Sequence, residues 1–327
     1  MKGIRNFLNF VEIGTKTASV IPFLVGAGYV LFRFGYLKPK QTLVFFAAML
    51  LFDMTTTAIN NHVGHRQTGR VPHYPAALSL VIIAGMGLAA AALVLYLVII
   101  DWSAAGWQNA GAVWEAGASS GILILFVGLF CFAVGVLYSF GPLPIARTPF
   151  GELVSGTVMG VCIPFIVVQI NRPLLELVWD YVRQDAPGHL GLIGFPLEVL
   201  AFVCLVIPLV CCIANIMLAN NICDVEEDAR VQRYTLPVYI GVKKSLRLYG
   251  FLYLTAYLFI ALAALTRVVP LFTLAVLLTC IPVRKNILRF RKLQDKRQTF
   301  FTAVLNFLLI CLPYAACLWL GGLLSIG

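Results

Sequence analysis

The chain is predicted to be an all-α, polytopic membrane protein with about nine transmembrane helices, and three observations predict it. First, 61% of the 327 residues are hydrophobic and only 12% are charged, where an average soluble domain is about 45–50% apolar and about 25% charged. Second, the mean hydropathy is +0.92, which excludes a soluble globule of this length. Third, apolar runs of bilayer length recur between charged or Pro/Gly-containing breaks; a crossing needs about 20 such residues.

The runs fall at residues 17–36, 41–60, 75–100, 119–139, 153–172, 195–219, 248–266, 268–283 and 300–324. The eighth is short and lies between Pro270 and Pro282, which predicts a tilted span or one sharing a tight hairpin with the seventh. Lys2 and Arg5 open the chain, but Glu12 and Lys16 interrupt the apolar segment that a cleaved signal peptide needs. The nine cysteines include no CxxC pair and most lie inside apolar runs, a pattern of small packing side chains rather than a disulfide framework or a zinc site. The segments Asp101 to Ala118 and Arg172 to Gly194 read as amphipathic caps with no chemistry assigned.

With nine crossings, 18 of the 24 Lys and Arg residues fall on the side of the N-terminus and the even-numbered loops. The positive-inside rule then puts the N-terminus in the cytoplasm of an inner-membrane protein and the C-terminus outside. The net charge of +10 reflects this topology first and affinity for anionic lipid or substrate second; no nucleic-acid partner is required to explain it.

Three polar constellations interrupt the apolar chain. Asn220, Asp224 and Asp228 stand at i, i+4 and i+8 where the sixth run ends, within about 80° of arc on a helix. An amide carbonyl and two carboxylates are hard oxygen ligands suited to Mg²⁺, and acids at a membrane border are costly unless used. At the end of the second run, Asp53, Thr57 and Asn60 or Asn61 share a face. Asp53 is part of a polar site, or is paired with an intramembrane cation such as Lys16 or Arg33, or bonds to neighbouring Thr. His62, His65 and His73 read as loop histidines. The third constellation, Tyr138 to Glu152, holds three prolines and one cation, Arg147, whose guanidinium suits bidentate phosphate contact. Arg230, Arg233, Lys243, Lys244 and Arg247 follow the acidic run and could clamp the same anion.

These motifs resemble the UbiA superfamily of intramembrane prenyltransferases, most closely the 1,4-dihydroxy-2-naphthoate polyprenyltransferases of menaquinone biosynthesis. The resemblance rests on Thr15 to Ser19 with Pro22, on Tyr138 to Glu152, and on Asn220 to Gly241 with its Arg233-Tyr234-Thr235-Leu236 ending. It implies one transmembrane prenyltransferase domain over residues 1–327, with helices around a central cavity. It also implies Mg²⁺ at Asn220, Asp224 and Asp228, with these two aspartates and Tyr138 as catalytic residues and Tyr138 near the allylic carbon. Arg147, Arg66, Asn60, Asn61, Lys16 and Arg233 would bind the substrate diphosphate. The substrates would be a polyprenyl diphosphate and an aromatic acceptor.

The chain departs from the family in its first motif. Family members carry Asp four residues after the motif's Asn, whereas here Gly64 follows Asn60 and His65 follows Asn61 at that spacing. The second metal thus lacks its usual carboxylate, which keeps open an enzyme with another acceptor or a terpene cyclase. A non-catalytic lipid-diphosphate binder or transporter is a further alternative. Against transport, the polar groups cluster at one membrane border and no inverted repeat is evident.

Overall fold

The computed structural model describes residues 2–68, 74–104, 118–140, 144–174 and 191–326, with side chains described except at residues 2, 64–68, 100–104, 118–120, 139, 191–195 and 326. The helices are α1 Lys2–Phe10, α2 Thr17–Phe34, α3 Pro39–Thr68, α4 Ala76–Ala104, α5 Ala118–Ser139, α6 Gly151–Thr157, α7 Ile163–Asn171 and α8 Gly191–Cys223. They continue with α9 Val225–Arg230, α10 Leu236–Ile240, α11 Val242–Leu265, α12 Cys280–Lys292 and α13 Phe301–Ile326. Among the described residues, nine segments are long and apolar enough to cross a membrane. In a bilayer only structures that satisfy their own backbone groups can span, so such runs become helices.

The eighth span is longer than its sequence suggested. It runs Leu271–Lys292, as a 3₁₀ stretch Leu271–Thr279 continued by α12. A 3₁₀ helix rises about 2.0 Å per residue against about 1.5 Å in an α-helix, so this composite span gains reach. Pro282 does not end it, because it falls in the first turn of α12, where a proline is tolerated. Lys243, Lys244 and Arg247 lie in the first turns of α11 rather than in a loop, and His62 lies within α3. Most of each segment read as a cap lies outside the described residues, as does His73; Asp101–Ala104 end α4 and residues 191–194 open α8.

The chain divides into two compact units. One comprises Met1–Val20, Lys38–Pro144 and Gln169–Glu176; the other comprises Ile21–Leu37, Ile145–Val168 and Leu177–Gly327. In the first unit Phe10, Val11, Ala58 and Met86 form a small core. Buried Asn171 accepts from the Lys38 amide at 2.6 Å and donates to Thr42 at 3.1 Å, which ties down the start of α3. Gly135 brings α5 against α3, since a Cβ there would stand 2.7 Å from Thr56 Cγ2.

The second unit has the larger core, built on fully buried Tyr249, Tyr253, Phe290, Phe307 and Tyr314. One close helix approach uses Gly156 and Gly160, spaced four apart around a single π turn at Val158–Cys162. Added Cβ atoms would meet the Val210 carbonyl of α8 at 2.8 Å and the Val210 nitrogen at 2.8 Å, respectively. Small residues at this spacing let membrane helices pack backbone to backbone. Because backbone atoms cannot yield as a side-chain tip can, Gly160→Leu is expected to destabilise the protein by about 1–3 kcal/mol, the usual cost of overpacking. A lowered thermal midpoint in detergent checks this; an unchanged midpoint would show that the packing of the π turn on α8 does not depend on the contact.

Candidate functional site

The second motif is intact in register, though α8 stops within it. Asp224 leaves helical geometry (φ −101°, ψ 5°) and stands at the N-cap position of α9. The Asp224 amide still donates to the Asn220 carbonyl at 3.2 Å, and the Asp228 amide to the Asp224 carbonyl at 2.8 Å. Hydrogen bonds four residues apart thus run through the break and preserve the spacing that makes the motif. Asn220 and Asp224 are half-buried, Asp228 is buried, and Glu226 and Glu227 face outward.

Each carboxylate has a cation beside it. Lys296 pairs with Asp224 Oδ2, and Arg233 Nη1 lies 3.4 Å from Asp228 Oδ1. Asp228 Oδ2 also accepts from Thr235 Oγ1 at 3.1 Å. Burial pushes the Asp228 carboxyl above the usual carboxylate range, Arg233 and Thr235 draw it back, and the Asp224 charge adds to the rise. The chain returns to make these contacts through Gln232, which sits in the left-handed region at φ 55°. Lys296 escaped the sequence reading because it sits in a basic run that topology already explained; only the fold brings it to a residue 72 positions away.

Arg233 also fastens the proline-bearing loop. Its Nε donates to the Ala146 carbonyl at 2.9 Å, and the Tyr234 amide donates to the Arg147 carbonyl at 3.0 Å. The structure therefore brings together Asp224, Asp228, Arg233 and the backbone that carries Arg147, whose side chain is half-buried. The loop's 3₁₀ turn, Ile145–Arg147, is closed by Thr148, whose Oγ1 donates to the Ile145 carbonyl at 2.8 Å.

In the first unit the other motif resolves the choice of partner for Asp53. Lys16 is buried, and its ammonium donates to Asp53 Oδ1 at 2.7 Å, Thr57 Oγ1 at 2.6 Å and the Asp53 carbonyl at 3.2 Å. Ser19 donates to Asp53 Oδ2. Arg33, the other cation considered, pairs instead with Glu198 at 2.5 Å within the second unit. Asn61 Nδ2 donates to the Phe10 carbonyl at 2.9 Å and to Glu12 Oε1 at 3.2 Å, tying α3 to the N-terminal segment, while Asn60 is exposed. Helix α3 carries the motif onward past residue 60 to Thr68. The side chains of Gly64, His65 and Arg66 lie outside the described residues, and Tyr138 is half-buried near the end of α5.

Among the described residues no three His, Cys, Asp or Glu side chains gather as a metal cluster. Mg²⁺ does not demand one, because it keeps several waters and binds through one or two carboxylates plus substrate phosphates. The donor set Asn220, Asp224 and Asp228 fits that habit.

Residues 19–310 match the UbiA prenyltransferase family. A stretch of 144 residues is 33% identical to a 1,4-dihydroxy-2-naphthoate octaprenyltransferase of Bacillus subtilis (strain 168), spanning 44% of this chain and 39% of that relative's length. A solved structure concerning digeranylgeranylglyceryl phosphate synthase in membranes aligns over 98% of this chain and 99% of its own, with TM-score 0.60 and 14% identity. At that identity the likeness is one of fold.

Proposed function

The chain belongs to the UbiA prenyltransferase family, and from that premise we propose that it transfers a polyprenyl chain from a prenyl diphosphate to an aromatic acceptor in quinone biosynthesis. The acceptor we propose is 1,4-dihydroxy-2-naphthoate, supported by the Bacillus subtilis relative. The observation that carries the reading is the run Asn220, Asp224 and Asp228, held in four-residue register at a span's end with Lys296 and Arg233 against its carboxylates. Oxygen ligands and cations in one place suit a polyanion bound through a metal. An ordinary solvated helix end would leave Asp228 exposed, as Glu226 and Glu227 are.

Asn220, Asp224 and Asp228 would hold Mg²⁺, which when bound supplies Lewis-acid neutralisation of the diphosphate leaving group. Arg147, Arg233 and Lys296 supply fixed positive charge for the phosphate oxygens as the allylic C–O bond breaks. The guanidinium groups add planar forks that an ammonium lacks. Tyr138, Arg66, Asn60 and Asn61 remain proposed contacts to the same substrate. We take residues 1–327 as one transmembrane prenyltransferase domain, since the family match covers residues 19–310. A membrane-dissolved prenyl chain and product explain why the enzyme is a multi-pass membrane protein. The basic residues orient it in the cytoplasmic membrane with the N-terminus inside and the C-terminus outside.

Purified protein in lipid nanodiscs, given a prenyl diphosphate, Mg²⁺ and 1,4-dihydroxy-2-naphthoate, is expected to release pyrophosphate in step with prenylated product. Pyrophosphate release without acceptor would mark a cyclase or hydrolase. No release under any condition would mark a binder and end the transferase reading.

A further inference from the structure

Glu152, in the first turn of α6, and Asn221, near the end of α8, are 5% and 2% exposed. Asn221 Nδ2 donates to Glu152 Oε1 at 2.9 Å. The remaining oxygens of these two joined groups, Glu152 Oε2 and Asn221 Oδ1, are both buried and accept from no donor among the described residues. A buried acceptor left unmade costs more than an ordinary hydrogen bond returns, and native proteins leave few of them without a reason. Here two occur together, and both are suited to accept from a hydrogen-bond donor.

The location limits what that donor can be. Asn221 adjoins Asn220 in the chain, and Glu152 follows Arg147 by five residues within the same compact unit, which sets the pair beside the candidate diphosphate site. The diphosphate is acceptor-only, and a second carboxylate would repel it. The prenyl tail has no polar hydrogen. Of the two substrates, only the aromatic acceptor carries O–H groups. We propose that Glu152 and Asn221 form the hydroxyl-binding subsite for the aromatic acceptor, with a phenolic O–H donating to Glu152 Oε2 and Asn221 holding the carboxylate in orientation. This rests on the transferase reading above. A hydroxyl bonded to a carboxylate makes a charge-assisted pair and leaves the ring richer in electrons for attack on the allylic carbon.

Glu152→Gln separates this role from a structural one. The amide so introduced keeps an oxygen for Asn221 Nδ2 and offers an N–H toward Asn221 Oδ1, so it satisfies the protein while removing the acceptor meant for substrate. The variant is expected to keep or raise the thermal midpoint. Its KM for 1,4-dihydroxy-2-naphthoate should rise at least tenfold, with the KM for prenyl diphosphate and the Mg²⁺ half-saturation within threefold of wild type. Glu152→Asp, which withdraws the carboxylate by one methylene, should give an intermediate KM and serves as the second variant if Glu152→Gln does not fold. Equilibrium dialysis of 1,4-dihydroxy-2-naphthoate alone provides a readout independent of turnover and should show the same tenfold weakening. Unchanged acceptor binding would overturn the proposal, as would a shift in Mg²⁺ or prenyl diphosphate dependence in place of the acceptor effect. If wild type binds the acceptor through Glu152 yet transfers nothing, the subsite stands and the transferase reading falls. If wild type binds no acceptor, the subsite falls.

Discussion

Asp224→Asn and Asp228→Asn are each expected to lower turnover at least a thousandfold while leaving the protein folded. A thousandfold corresponds to about 4 kcal/mol of barrier, the scale expected when a ligand to a metal-bound leaving group loses its charge. The fold should survive because neither change strands a buried cation. Lys296 is half exposed and can return to water. Arg233 keeps its bond to the Ala146 carbonyl, and the amide oxygen introduced at position 228 can still accept from Thr235. An amide also preserves the shape of each side chain, so the measurement reads charge rather than packing. Turnover within threefold of wild type in either variant, with an unchanged thermal midpoint, would remove Mg²⁺ from this motif. Loss of activity with a collapsed midpoint would instead make the pair structural.

Hydropathy made the nine spans legible because a bilayer demands long apolar runs, and four-residue spacing made the second motif legible because helical hydrogen bonds persist through Asp224. What escaped the sequence was made by tertiary contact. Lys296 meets Asp224 across 72 positions and Asn221 meets Glu152 across 69, and no local pattern encodes such pairs. Pro282 was a misleading boundary, since a proline ends a helix in its interior but not in its first turn. Gly156 and Gly160 carried a small-residue spacing in plain view, but their partner Val210 emerges only from the packing of α8. Asp53 shows the limit most clearly: its need for a cation follows from its depth in an apolar run, whereas the choice of Lys16 over Arg33 required the fold.

That choice leads to the largest expected loss of stability. Lys16→Met is expected to destabilise the protein by about 3–5 kcal/mol, because removing one member of a buried pair leaves the other charge uncompensated. Asp53 has 15% of its side chain exposed, too little for water to replace the ammonium, and among the described residues Ser19 would remain to bond its carboxylate. Adding Asp53→Asn to Lys16→Met should restore most of the midpoint, since the amide needs no counter-charge and can still accept from Ser19. The same double variant tests whether Lys16 also binds the diphosphate, as the family resemblance implies. All three N–H donors of Lys16 are already used by Asp53 and Thr57, so the KM for prenyl diphosphate in the restored protein is expected to stay within threefold of wild type. A tenfold rise in that KM with stability regained would place Lys16 on the substrate. Failure of Asp53→Asn to rescue the midpoint would show that Lys16 supports the fold through contacts other than its pairing with Asp53.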